Sequence, residues 1–262
     1  MRKLWPPEGR DLSKLTLAFV DRESRIPPRL PPGSMPVSQR MTLALFLAGS
    51  PVPKRSVIYV DGFNFYYGLL RSPQFSGCKW LDLGRLSSRI RQADDIQRIK
   101  YFTGYWPDSS GKRHAVYTKA LSVDPKIQVV LGNFKAKTLK CRVPECSFAG
   151  NRTYRSHEEK QTDVNIALHM LDDAYQGVCD IMVLVTADSD LVPAIDLVKS
   201  RVPRMEVVVY IPGPHSRYQT AVELRSSADR TRLLPGNLLR HCLLPDRVVL
   251  PGGSFVERPK TW

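Results

Sequence analysis

Between residues 56 and 211, short runs of consecutive apolar residues alternate with segments whose apolar positions recur every three or four residues. The first pattern fits strands buried on both faces, the second helices that cover them. The first run, Ser56-Val-Ile-Tyr-Val-Asp61, is rich in β-branched residues and ends in an acid. Helix-like segments follow over Asn64 to Leu70 and over Leu83 to Arg91, where Leu86 and Ile90 are spaced by four. Ile96 to Tyr105 reads as a second strand, His114 to Leu121 as a helix and Ile127 to Leu131 as a third strand. Lys135 to Lys160 reads as an irregular basic stretch holding Cys141 and Cys146. Thr162 to Tyr175 is predicted to be an amphipathic helix, with Val164, Leu168 and Leu171 on one stripe. Ile181 to Thr186 is a buried strand, Leu191 to Lys199 a helix and Met205 to Ile211 another strand. Such alternation implies an α/β core with a mainly parallel sheet between two helical layers.

The flanks differ. Prolines at 6, 7, 27, 28, 31, 32, 36, 51 and 53 remove backbone donors from residues 1–55 and predict a flexible leader. Inside it, Met41 to Ser50 resembles the apolar part of a secretion signal, but it lies forty residues in, behind basic residues and prolines. A start at Met35 or Met41, or docking of the segment on the domain, accounts for it better. After Pro212 the pattern weakens to one helix around Gln219 to Ser226 and a tail punctuated by proline and glycine from Leu234. The expected organisation is a leader over 1–55, a domain over 56–212 and a partly irregular extension over 213–262.

Of the 262 residues 42% are hydrophobic, enough for a buried core. Lys and Arg number 39 against 25 Asp and Glu, a net charge of +14, so a polyanion is a natural partner. The longest apolar stretch is far shorter than the roughly 20 residues a membrane helix needs, so no membrane association is expected. Five cysteines, an odd number spread thinly, fit a reducing cytoplasm better than a disulfide framework.

In an open parallel sheet, ligands gather at the carboxyl ends of the strands. Asp61 ends the first strand, Asp188 and Asp190 follow the strand over 181–186, and Asp163 opens the helix before it. Each alone is ordinary turn or cap chemistry. Gathered at one edge they would repel and raise one another's pKa unless a cation neutralised them, and an all-oxygen set selects Mg²⁺ or Mn²⁺. A hard dication of this kind supports phosphodiester hydrolysis. Lys135, Lys137, Lys140, Arg142, Arg152, Arg155 and Lys160, interleaved with Phe134, Phe148 and Tyr154, could hold a phosphate backbone and stack on unpaired bases, which favours single-stranded RNA.

Val57 to Asn64, Glu159 to Ala167 (Glu-Lys-Gln-Thr-Asp-Val-Asn-Ile-Ala) and Val183 to Pro193 (Val-Leu-Val-Thr-Ala-Asp-Ser-Asp-Leu-Val-Pro) resemble, in order and spacing, the three signature blocks of NYN-domain proteins. More narrowly the chain resembles their LabA-like bacterial branch, within the PIN-like nuclease superfamily. The resemblance implies a PIN-like three-layer α/β/α sandwich and divalent-metal-dependent ribonuclease activity. It makes Asp61, Asp163 and Asp188 metal ligands, with Asp190 an additional ligand or a neighbour of one. Asn64 would orient the first acid or a substrate phosphate, and Thr186 would hydrogen-bond a neighbouring carboxylate or meet substrate. Ala187 stands where glycine is frequent and Leu191 where phenylalanine is frequent, neither touching the ligands. A homodimer through an exposed face is compatible with such a small domain.

Other readings are weaker. A structural zinc on Cys141, Cys146 and His157 lacks a clear fourth ligand. His114 and His169 are the other candidates, but His169 reads as a partly buried or surface histidine, not a catalyst, and metal-dependent nucleases do not require a histidine. An RNA-binding or regulatory adaptor that keeps the fold without strong catalysis is the main alternative. A haloacid-dehalogenase-type phosphatase would need an acid where Phe63 stands, a P-loop motif is absent, and a dinucleotide site would need more glycines than Gly62.

Overall fold

The computed structural model describes residues 52–105, 109–143 and 145–260. All but the last four residues of the expected leader, including Met41 to Ser50, lie outside the described residues. The strands are β1 (Arg55–Asp61), β2 (Asp95–Thr103), β3 (Ile127–Leu131), β4 (Asn133–Lys140), β5 (Thr153–Lys160), β6 (Ile181–Val185), β7 (Glu206–Ile211), β8 (Arg230–Leu233), β9 (Arg247–Val249) and β10 (Phe255–Glu257). The helices are α1 (Gly62–Phe65), which continues as a wider turn over Tyr66–Leu70, then α2 (Leu83–Ile90), α3 (Ser109–Leu121), α4 (Thr162–Gln176), α5 (Val192–Arg201), α6 (His215–Thr220) and α7 (Val222–Ser227).

Six strands form one sheet in the order β3-β2-β1-β6-β7-β8, every neighbouring pair parallel. Alternation along each strand divides its side chains between two cores. Ile58, Val60, Val183, Val185, Val208 and Tyr210 face one side, where Phe65, Leu69, Leu86 and Leu121 cover them. Val57, Tyr59, Met182, Leu184, Val207 and Val209 face the other, beneath Ile166 and Met170 of α4 and Ile195 and Val198 of α5. The molecule is therefore the expected three-layer α/β/α sandwich. The chain runs outward from β1 through β2 to β3, then returns to the other side of β1 with β6. That reversal makes the carboxyl ends of β1 and β6 the topological switch point, the place where such sheets bind ligands.

Three segments differ from the sequence reading. Residues 133–140 and 153–160 are not irregular: β4 and β5 form an antiparallel ribbon, with Asn133 opposite Lys160 and Lys140 opposite Thr153, while the described residues of 141–152, which include both cysteines, form neither strand nor helix, as expected. Exposed on both faces for most of its length, the ribbon needs no apolar alternation, so no pattern announces it. Beyond residue 212, β8 extends the sheet, two short helices broken at Ala221 replace the single expected one, and Leu234, Leu239, Cys242 and Val248 are buried in the first core. Trp80 ties this tail down by donating its indole N–H to the Pro245 carbonyl at 2.8 Å.

The helix over 162–176 is present but turned from the expected face. Ile166, Met170 and Ala174 meet the sheet, whereas Val164 and Leu168 are 61% and 59% exposed. The buried face was disguised by a polar residue. Asp173 is buried there because the Tyr59 hydroxyl and the Lys100 ammonium, both coming up from the sheet, each donate to its Oδ2 at 2.6 Å. A buried carboxylate is tolerated when it is paired and hydrogen-bonded in this way.

Candidate metal centre

Asp61 is the last residue of β1 and caps α1, accepting the Asn64 backbone N–H on Oδ1 at 2.9 Å. Gly62 follows because β2 runs close by: a Cβ at this position would stand 2.6 Å from the Phe102 carbonyl oxygen and 2.9 Å from the Tyr101 ring. Asp188 stands three residues past the end of β6 and caps the short turn Ser189–Leu191, accepting from the Asp190 backbone N–H at 3.1 Å. Asp163 lies in the first turn of α4, where the positive end of the helix favours an acid. That helix starts abruptly. Gln161 adopts a left-handed backbone (φ 83°), and Glu159 at the end of β5 accepts from both the backbone N–H and the hydroxyl of Thr162.

These three elements bring Asp61, Asp163 and Asp188 together, with one carboxylate oxygen of each within 4.8 Å of the others. Thr186 is buried between two of them: its hydroxyl donates to Asp61 Oδ2 at 3.0 Å and accepts from the Asp188 backbone N–H at 3.1 Å. Asn64 spans the same pair from the other side, its Nδ2 donating to Asp188 Oδ2 at 3.2 Å. Burial raises the pKa of Asp61 against the lowering effect of hydrogen bonds from Asn64 and Thr186. Burial, followed by the charges of Asp61, Asp188, Glu159 and Asp190, pushes Asp163 up to about 6.

Among the described residues none of the three acids makes an ion pair. Oxygen-only donors, held in place by hydrogen bonds and without an ion-pair partner among the described residues, fit a hard divalent cation.

The remaining candidates are placed as follows. Asp190 is exposed and outside the carboxylate group; its backbone holds Asp188 and its charge bears on Asp163. The Thr186 hydroxyl is committed to the acids, which makes it a support for them. Of the basic residues, Lys137 and Lys160 pair with Glu158, and Arg152 donates to the Cys146 carbonyl at 3.0 Å. Lys135, Lys140, Arg142 and Arg155 form no ion pair or hydrogen bond through their side chains among the described residues. Opposed residues of the ribbon share a face. Phe134 and Glu159 therefore lie on the face that also carries Arg155 and Lys140, and its base adjoins the acids: Phe134 meets Phe63 edge-on at 5.7 Å, and Glu159 caps α4. Lys135, Lys137 and Lys160 lie on the opposite face.

Cys141 and Cys146 are half-buried free thiols and gather no third ligand into a metal-binding group among the described residues. His114 is enclosed by Tyr101, Tyr105 and Tyr117, and burial lowers its pKa to about 4. His169 leans on Phe102 with Nδ1 3.1 Å from Lys100 Nζ. Neither ring belongs to the acidic group. Sequence reasoning passed over Arg217, whose guanidinium donates to Asn64 Oδ1. It lies inside α6, beyond the residues that directly follow β7, so a search of strand ends for polar residues did not reach it.

The model of the NYN domain matches residues 55–234. A curated relative, the 6-hydroxy-3-succinoylpyridine 3-monooxygenase HspA of Pseudomonas putida, is 31% identical over 242 residues, covering 80% of this chain and 76% of that protein. The crystal structure of a Vibrio parahaemolyticus protein of unknown function aligns with a TM-score of 0.47 at 18% identity, over 74% of this chain and 99% of the other. The match runs from the first residue of β1 to just past β8 and takes in all three clustered acids, so the chain belongs to the NYN-domain family of the PIN-like nuclease superfamily.

Proposed function

We propose that the protein is a divalent-metal-dependent endoribonuclease, hydrolysing RNA phosphodiester bonds with water at the Asp61, Asp163 and Asp188 centre. The observation that carries this reading is the convergence of those three carboxylates from separate elements at the carboxyl ends of β1 and β6. Asp61, Asp163 and Asp188 would hold the cation, and Mg²⁺ or Mn²⁺ suits the donor set. When bound, such an ion polarises a phosphate and lowers the pKa of water so that hydroxide is available at neutral pH. The chain's own part is positional. Thr186 and Asn64 keep the carboxylates in place before substrate arrives, and Arg155 and Lys140 extend a basic face outward from the acids along which a single strand can lie.

Cleavage of a labelled single-stranded RNA by the purified protein, with Mn²⁺, with Mg²⁺ and with EDTA, tests the reading beside Asp188→Asn. The expected result is metal-dependent cutting that the substitution abolishes while the protein stays folded. A fully active Asp188→Asn protein sinks the assignment, and salt-sensitive RNA binding without cutting favours the adaptor. The Pseudomonas relative, a 6-hydroxy-3-succinoylpyridine 3-monooxygenase that matches four fifths of the chain, supports a second reading, oxygenation of a hydroxylated pyridine. Incubation with that pyridine, dioxygen and a two-electron reductant decides between them: turnover there with RNA left intact replaces the nuclease reading.

A further inference from the structure

Arg217 is a half-buried arginine beside an acidic centre, yet it forms no ion pair among the described residues. Its guanidinium is instead directed at an amide. One Nη2 hydrogen is donated to Asn64 Oδ1, and the other end of that amide, Nδ2, donates to Asp188 Oδ2 at 3.2 Å. The backbone N–H of the same asparagine holds Asp61 Oδ1 at 2.9 Å. Two glycines make room for the arginine. A Cβ on Gly68 would collide with its Nη1 and stand 2.5 Å from the Pro212 carbonyl oxygen. Gly213, at φ 140°, is in a conformation other residues rarely adopt, and a Cβ there would stand 2.9 Å from Arg217 Cδ.

An asparagine amide has a donor end and an acceptor end, and rotating it by half a turn exchanges them. In the observed orientation the carbonyl faces a cation and the NH₂ faces a carboxylate. In the rotated one the NH₂ would face the guanidinium and the carbonyl the carboxylate, which loses both hydrogen bonds and opposes like partial charges. Arginine, unlike an uncharged partner, makes the choice one-sided, because it can only donate.

We propose that Arg217 is a positioning residue of the acidic centre: it fixes the Asn64 amide so that Nδ2 holds Asp188, and so pre-sets the carboxylates for a divalent cation. The proposal rests on the metal reading given above and adds a residue from α6, outside the three signature blocks. Because it acts through Asn64, its effect belongs in metal affinity and is shared with Asn64.

The test is Mn²⁺ titration by calorimetry on the full chain, comparing wild type, Arg217→Met, Asn64→Ala and the double variant, with a thermal midpoint for each. Removing a group that orients a ligand typically weakens metal binding 10- to 100-fold, so about a tenfold or greater loss is expected for Arg217→Met. Asn64→Ala should lose a similar factor, and the double variant no more than either single one, since both break one relay. A metal-free readout accompanies it: the side-chain NH₂ signals of Asn64 by NMR, assigned by their absence from Asn64→Ala, should shift and broaden in Arg217→Met. Unchanged Mn²⁺ affinity in Arg217→Met, even with a lowered midpoint, makes the arginine merely structural and overturns the relay. Losses that add in the double variant, or unmoved Asn64 signals, overturn it as well. If the wild type takes up no Mn²⁺, the metal reading fails and the proposal falls with it. That outcome is distinct, because the wild-type titration alone reveals it.

Discussion

Asp61, Asp163 and Asp188 are brought together at a cost that the protein bears whenever no cation lies between them. The clearest sign is Asp163, whose pKa of about 6 reflects first burial and then the neighbouring acids. Replacing it with the neutral isostere removes that repulsion. In EDTA at pH 7.5, Asp163→Asn is expected to raise the thermal midpoint by roughly 2–4 °C, the size of a 1 kcal/mol gain in a domain of this length. With Mn²⁺ the order should reverse, because only the wild type gains from binding. Scanning calorimetry under both conditions checks this; a midpoint lowered in EDTA would mean that the carboxylate is a structural cap and nothing more. His114 gives a prediction of opposite sense. Burial lowers its pKa from 6.5 to about 4, so the folded state disfavours the protonated ring. Its contribution is therefore present above pH 6.5 and is lost as pH falls from there toward 4. Wild type should lose stability more steeply over that interval than His114→Gln, read from urea unfolding at several pH values. Parallel curves would show that the ring does not stay neutral in its tyrosine enclosure.

The elements divide into those whose burial pattern could be read and those whose pattern was masked by polar contacts. β1, β6 and β7 are continuous apolar runs because both faces are covered, and their order with α4 and α5 was legible from periodicity. Asp61, Asp163 and Asp188 were legible for a related reason: strand ends and helix starts can be located from sequence, and acids there are visible. Which face of α4 is buried was not legible. Val164, Leu168 and Leu171 form the more obvious stripe, but the sheet beneath supplies Tyr59 and Lys100 to satisfy Asp173, so the side carrying an acid is the one that packs. The energetic consequence is direct. Ile166→Ala or Met170→Ala should cost about 2–5 kcal/mol as buried truncations, whereas Leu168→Ala should stay within about 0.5 kcal/mol. Urea unfolding of the three variants distinguishes the faces, and a Leu168→Ala loss as large as that of Ile166→Ala would mean that another surface covers this stripe. The β4–β5 ribbon and the tail after β8 were illegible for a different reason. A ribbon solvated on both sides and a tail of three-residue strands contain too few buried positions to establish a period.

The net charge of +14 belongs to the sequence as a whole, while three acids concentrate at one centre. The β4–β5 ribbon carries basic residues that lead away from that centre. Its strands are eight residues long, so at about 3.4 Å per residue it reaches roughly 25 Å, long enough for several nucleotides. Its faces are unequal. One carries Lys137 and Lys160 around Glu158, which already spends part of their charge; the other leaves the acids at Phe134 and Glu159 and continues through Arg155 to Lys140 with no counter-ion among the described residues. A total charge cannot distinguish these faces, but counter-ion release can, since only a cation that replaces condensed ions on the nucleic acid contributes to the salt dependence. For a single strand each such contact contributes about 0.7 to the slope of log K against log salt. Arg155→Gln with Lys140→Gln should therefore flatten the slope for single-stranded RNA by about 1.4 and weaken binding at every salt concentration. Lys137→Gln with Lys160→Gln should change it much less, because removing them also frees Glu158. Fluorescence anisotropy across a salt series with an unlabelled competitor measures both slopes. Equal losses from the two pairs would mean that the strand wraps the ribbon and does not follow the face that begins at the acids.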